Sequence, residues 1–392
     1  MPTNVLKTRA QSHLARCVFL AVFALLAHAQ SPAAASDAST NTPPNTKDVI
    51  LNVTALDAKG HPVTDLTSAD FQIFDDGKLQ HIASFKASAA QSDAETPPAT
   101  TLILFDLLNS IPAHRGYLSN QIIRALETVE TGDSVYFYLL TNHGDLYPVH
   151  ALPTPQGKTP ASRASDAEED RKPASTPWTR QIHPLLDEAI QKVYGLRPMD
   201  DKDRGIRSAV TFRTLSELGR QLTEIPGSKT IVWISAGAPN WLLYPYGCQD
   251  IVFAEGSRLY AAGKCSSDCA KWQGGSKCVD YMPFLQHFSA QLDRTGAIMY
   301  NVEDTAEGAL PPADRGTPKD TLQQLADLTG GRMYIGGEVG KAIAQSLEDA
   351  RARYQLVYDA PSPDGKYHKL RVACARKGVR IEAARGYFAN QP

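Results

Sequence analysis

Between Leu102 and Ala352, apolar runs of strand length alternate with stretches whose apolar residues recur at helical spacing. Residues 102–105, 135–140, 230–235, 297–302 and 332–335 read as strands. Helical spacing covers 121–129, 185–193, the stretch marked by Leu215, Leu218 and Leu222, the stretch through Phe284, Phe288 and Leu292, then 322–328 and 339–352. A continuous apolar run is what a strand covered on both faces requires, and helices between strands supply the crossovers of a parallel sheet. The pattern predicts a doubly wound α/β domain over 97–352 with a mostly parallel sheet, residues 146–149 forming a short antiparallel partner. Ligands of such sheets bind outside the carboxyl ends of the strands.

The flanks have another texture. Residues 49–56, 71–74 and 82–85 alternate around turns at 57–60 and 75–77, and residues 354–358, 368–375 and 379–383 do so around a turn at 361–365. Each flank alone has too few strands to bury a face. The economical solution pairs 47–90 with 353–390 in one β-sandwich that encloses the α/β domain.

Lys7, Arg9 and Arg16 precede the apolar stretch from Cys17 to Ala27, and Ala27-His28-Ala29 offers small residues to a signal peptidase. Residues 1–29 are therefore expected to be a secretory signal, followed by a flexible leader at 30–46. The apolar stretch is shorter than the roughly 20 residues needed to cross a bilayer, so no transmembrane anchor is expected after cleavage. Removing the three basic residues of the signal from 40 leaves 37 against 42 acidic ones, a balance that disfavours nucleic acid as a partner. The expected location is the periplasm, the cell envelope or the medium.

Cys248, Cys265, Cys269 and Cys278 fall within 31 residues of an excursion at 240–280 that is poor in core-forming residues. In an exported chain they read as two disulfides of open pairing, with a zinc knuckle as the rival that lacks paired Cys-x-x-Cys steps. Cys374, alone in an alternating strand, reads as an inert thiol. Residues 152–180, polar and aperiodic, read as a mobile loop near the carboxyl edge.

The strand at 101–106 ends in Asp106, and Ser110 stands four residues on. A carboxylate and a hydroxyl at the carboxyl edge are hard oxygen ligands of the kind a divalent cation takes. This loop resembles the first metal-ligand loop of von Willebrand factor A domains, Asp-x-Ser-x-Ser, with Leu108 where the middle serine belongs. The run Val53-Thr-Ala-Leu-Asp-Ala-Lys-Gly60, Leu66, Asp70-Phe71, Asp76-Gly77, Ile225-Pro-Gly-Ser-Lys-Thr-Ile-Val-Trp-Ile-Ser235 and Gly386-Tyr387 extend the likeness, and the chain resembles the VWFA-related family described in acidobacteria.

That resemblance implies a von Willebrand A-like domain and a degenerate site for Mg²⁺ or another divalent cation. Asp106, Ser110 and Thr211, the last placed just before a helix, would be its ligands. The aspartate expected near 235–237 is missing. The implied role is non-catalytic, adhesion-type recognition of a protein or surface polymer at an edge carrying Asn109, Ser235 and Asp304, with the oligomeric state open.

Two other roles compete. Glu303, Asp304 and Asp106 could serve a secreted hydrolase as paired acids, and exposed sandwich strands could join an envelope assembly as a structural subunit. His143 and His183 lack metal spacing, Ser235 lacks a Gly-x-Ser-x-Gly elbow, and Gly330-Gly331 follows a helix and reads as its C-cap.

Overall fold

The computed structural model describes residues 48–87, 99–129, 134–153, 177–194, 204–238, 241–244, 264–266, 277–280, 282–304, 318–335, 338–360, 364 and 366–389. The expected signal at 1–29, the leader at 30–46 and most of the loop at 152–180 lie outside them. Among the described residues no helix is long and apolar enough to cross a membrane.

The first flank forms β1 (Asp48–Leu56), β2 (Phe71–Asp75), β3 (Lys78–Gln80) and β4 (Ser84–Ala87). Asp76 and Gly77 both have positive φ, 46° and 79°, the backbone a two-residue hairpin turn needs, and aspartate and glycine tolerate it. That turn places β3 directly after it. The middle of the chain follows with β5 (Thr100–Asp106), α1 (Arg115–Glu127), β6 (Ser134–Leu140), β7 (Leu146–His150), α2 (Ile182–Tyr194), α3 (Arg204–Thr223) and β8 (Lys229–Ser235). The excursion holds β9 (Trp241–Tyr244), β10 (Lys264–Ser266) and β11 (Lys277–Asp280). Next come α4 (Met282–Thr295), β12 (Ala297–Glu303), α5 (Pro318–Thr329), β13 (Met333–Tyr334) and α6 (Val339–Arg351). The last flank forms β14 (Arg353–Asp359), β15 (Tyr367–Cys374), β16 (Arg380–Ala383) and β17 (Gly386–Phe388).

The central sheet has the order β13-β12-β8-β5-β6-β7 and is parallel except for the β6–β7 pair. Successive residues of β5 serve opposite faces, as the two-residue period of a strand dictates. Leu102 and Leu104 pack with Trp233, Phe212, Leu215 and Phe288 in one apolar cluster. Ile103 and Phe105 pack with Ile122, Leu186, Ile234 and Ile343 in another. Helices thus cover both faces, which is why these strands read as unbroken apolar runs. From β5 the chain moves to β6 and β7 on one side and returns through β8 on the other, so the carboxyl ends of β5 and β8 flank the point where the topology reverses.

Two four-stranded antiparallel sheets, β16-β1-β14-β4 and β17-β15-β2-β3, each draw strands from both flanks. Leu51, Val53, Phe71, Ile73, Tyr354, Leu356 and Tyr387 form their shared apolar cluster. A third sheet, β10-β11-β9, is built in the excursion. Its backbone register pairs Cys265 with Val279 and Cys278 with Ser266. The side chains of Cys265 and Cys278, and Cys248 and Cys269 altogether, lie outside the described residues, and the expected disulfides with them. Cys374 is a free, half-buried thiol.

Helix α5 ends as its sequence predicts. Gly330 takes φ 75°, and the Gly331 N–H donates to Ala326 O at 2.9 Å, the six-to-one bond of a Schellman cap. A Cβ on Gly331 would stand 1.8 Å from Met299 O, so only glycine lets the chain enter β13 against β12.

Buried charge ties the sheet to its surroundings. The Asp349 carboxylate, fully buried on α6, accepts bonds from Tyr300 Oη and Gln345 Nε2 and pairs with Arg332 at 3.1 Å, while Arg332 also pairs with Glu382 of β16. At the start of β8, Lys229 is 6% exposed and donates to Thr295 O at 3.2 Å. Burial lowers its pKa from 10.5 to about 8. Between those pH values the unfolded chain holds more protons than the folded one, so stability will rise as pH increases from about 8 to 10.5. Lys229→Met will flatten that slope and stabilise the fold at pH 7 by up to about 3 kcal/mol, readable from urea unfolding at several pH values.

Candidate functional site

Asp106 ends β5 at the reversal point and is fully buried. One carboxylate oxygen accepts the Asn109 N–H at 2.9 Å. The other accepts Asn109 Nδ2 at 2.8 Å, Trp233 Nε1 at 3.2 Å and Ser235 Oγ at 2.7 Å. Trp233 and Ser235 reach it from neighbouring β8, whose end also positions Gly237 N–H on Ser235 Oγ. Burial raises the Asp106 pKa, against the lowering effect of the Asn109 side chain, Ser235, the Asn109 N–H and Trp233.

Asn109 is the hinge of this arrangement. Its Nδ2 donates to Asp106 and, at 2.8 Å, to Thr211 Oγ1, whose own proton goes to Arg207 O. A carboxylate and a hydroxyl that has already donated are both acceptors, so a two-proton amide nitrogen satisfies the pair. Thr211 stands within α3 rather than before a helix: α3 starts at Arg204, and the hydroxyl bonds the carbonyl four residues back, as helix-interior threonines do. Packing of Phe212 and Leu215 against the sheet outweighs the weak helix propensity of the first turns.

Asp304 follows β12 and joins the same edge. Its N–H donates to Ser235 O at 2.9 Å, and its carboxylate accepts the Ile111 N–H and pairs with His114 Nδ1, each at 2.9 Å. It thereby anchors the turn that leads into α1, where a carboxylate complements the partial positive charge of the helix start. Burial raises the Asp304 pKa against Ile111, His114 and Ser110, which lower it. The Ser110 hydroxyl is buried near Asp304 but within no hydrogen bond of ordinary geometry.

The expected cation ligands Asp106 and Thr211 thus converge, with Ser110 beside Asp304. As arranged, they do not fit a divalent cation. The lone pairs that would bind it on Asp106 and Thr211 are taken by Asn109, which bridges the two as an ion would. Ser235 and Asp304, expected as partner contacts, stand at this edge but are 0% and 2% exposed; they hold loops, while Asn109 is half-buried. Glu303 is buried too. With Asp106 and Asp304 closed to solvent and bonded throughout to protein groups, the paired acids of a hydrolase are not presented.

Of the two histidines expected in loops, His143 is exposed after β6, whereas His183 lies in the first turn of α2 and pairs with exposed Asp187 one turn on, at 3.0 Å. Sequence reasoning missed the bridging role of Asn109, the Trp233 donor and His114. The signal for the first was its place three residues after Asp106, within reach of an Asx-type return bond.

By its strands and helices the protein is a mixed α/β protein with a mostly parallel six-stranded sheet and antiparallel sheets. No family model matches the chain, and no curated protein matches it. Among solved structures it is similar to the pilus adhesin (RrgA) from Streptococcus pneumoniae, at 9% identity and a TM-score of 0.30, over 86% of this chain and 66% of that one. The chain therefore spans just under two thirds of that adhesin. A likeness of this strength carries no argument about fold or role.

Proposed function

We propose that the protein is an exported, non-catalytic binding protein: a von Willebrand A-like domain inserted in a β-sandwich, recognising a protein or surface polymer at the carboxyl edge without a cation. The observation that carries this reading is the Asn109 amide bridging Asp106 and Thr211, which locks the loop after β5 to α3 and β8 from within. Loops fixed before an encounter lose less entropy on binding, so such a network supports recognition by a preformed surface. Tyr117, 56% exposed on the first turn of α1, and His143, exposed on the loop after β6 that the Arg115–Asn142 bond ties to α1, are the side chains assigned to the partner.

The test is a binding panel of envelope polymers and secreted proteins, run with and without EDTA, against wild type and Tyr117→Ala/His143→Ala. Saturable binding that survives EDTA and weakens at least about tenfold in the double variant, a loss of about 1.4 kcal/mol, is expected. A partner bound equally by both proteins would remove the edge from the reading, and binding abolished by EDTA would overturn its cation independence.

A further inference from the structure

Away from the carboxyl edge, the turn between β2 and β3 meets the start of β15 in a cluster of three aspartates and one histidine. His368 Nδ1 stands 3.1 Å from Asp76 Oδ2 and 3.3 Å from Asp75 Oδ1. Each of these groups is fixed through its other atom. Asp75 Oδ2 accepts the hydroxyls of Tyr358 and Tyr387, both at 3.0 Å. Asp76 Oδ1 accepts the Lys369 N–H at 2.9 Å, and His368 Nε2 pairs with Asp364 Oδ1 at 3.1 Å. Asp364 is itself held by the Lys366 N–H at 2.9 Å, and the imidazole lies stacked on the Tyr387 ring.

Three atoms remain pointed at one another. Asp75 is 2% exposed, yet its Oδ1 accepts no bond of hydrogen-bond geometry and meets only His368 Nδ1, as an ion pair at 3.3 Å; Nδ1 likewise donates to neither carboxylate in good geometry. A buried carboxylate oxygen without a well-directed donor is costly unless something else satisfies it. Nδ1 lies 3.1 and 3.3 Å from the two carboxylate oxygens, the nitrogen–oxygen spacing that a metal with bonds of about 2.0–2.1 Å requires in tetrahedral geometry, and all three atoms lie within 4.8 Å of one another.

We propose that Asp75, Asp76 and His368 form a binding site for a divalent first-row transition metal. One imidazole and two carboxylates suit zinc or manganese, and the 51% exposed Asp76 side leaves a position for water. Asp364 completes a carboxylate–histidine–metal relay, the outer-shell arrangement that fixes the tautomer and orientation of a ligating imidazole. The ion would clip the β2–β3 turn to β15, joining the first flank to the last.

Zn²⁺ and Mn²⁺ are titrated separately into the purified full chain by calorimetry, and bound Mn²⁺ is followed by electron paramagnetic resonance, to which thiols contribute little. Wild type, Asp76→Asn, His368→Gln and Asp364→Asn are compared. Asparagine tolerates the positive φ of position 76, so Asp76→Asn keeps the turn. One saturable site is expected, lost in Asp76→Asn and His368→Gln and weakened about 10–100-fold in Asp364→Asn. Absence of a saturable site in wild type, or equal affinity in wild type and Asp76→Asn, would overturn the proposal and leave the cluster as an imidazolium among carboxylates.

Discussion

Asp106→Ala will destabilise the protein by roughly 3–5 kcal/mol, because it removes one acceptor from four donors at once in a site without water access. The amide of Asn109, its N–H, the Trp233 indole and the Ser235 hydroxyl all end on that carboxylate. Each donor left unpaired costs about 1–3 kcal/mol, moderated by relaxation of the loop after β5. Asn109→Ala will cost less, about 1–2 kcal/mol, since it frees Asp106 and Thr211 to find other donors. Urea unfolding of both variants reads these values directly. Adding Mg²⁺ to metal-free wild type will leave its midpoint unchanged, because the bridge at this edge is an amide. A loss below about 1 kcal/mol in Asp106→Ala would show that the network does not hold the edge together.

The second large effect is expected at Asp349→Ala, again roughly 3–5 kcal/mol. The loss of that wholly buried carboxylate strips Tyr300 of its acceptor and Arg332 of one of its two partners. Arg353, 1% exposed, is also affected: burial lowers its pKa, against Tyr300 and Asp349, which raise it. Its guanidinium bonds Lys229 O and Thr230 Oγ1, neither of which carries a negative charge. Tyr300→Phe alone will cost about 1–2 kcal/mol. In the double variant the two losses will fall short of their sum, as expected of partners in one bond. Strict additivity in that cycle would refute the coupling.

The elements were legible because burial leaves a local trace. The strand at 230–235 and the helix at 322–328 appear as β8 and α5, each a residue or a few longer at its ends, since a face buried against a neighbour imposes its period on the sequence. The C-cap at Gly330 and the turn at Asp76-Gly77 were legible for another reason: positive φ admits few residue types. The start of α3 was not legible. Residues 204–214 carry a glycine and several β-branched side chains, weak helix formers that only packing against the sheet draws into the helix.

The site was half legible. Asp106, Ser235 and Asp304 were expected at one edge because strand ends carry the ligands of an α/β sheet, and Ser110 and Thr211 through the von Willebrand A resemblance; the structure brings them together there. What they do there was not written in the spacing. Whether Asp106 faces an ion or an amide depends on Thr211, 102 residues from Asn109 in the chain, and on Ser235, 129 residues from Asp106.

By itself, then, the sequence determined the order of strands and helices, the parallel middle, the antiparallel flanks and the edge where polar residues gather, because periodicity and turn chemistry act over a few residues. Only the tertiary structure decided which polar atoms meet. It closed Asp106 with Asn109 and set Asp75 and Asp76 against His368 across some 290 residues of chain. Hydrogen-bond and ligand partners follow sheet register and helix placement, and these are fixed only when the whole core packs.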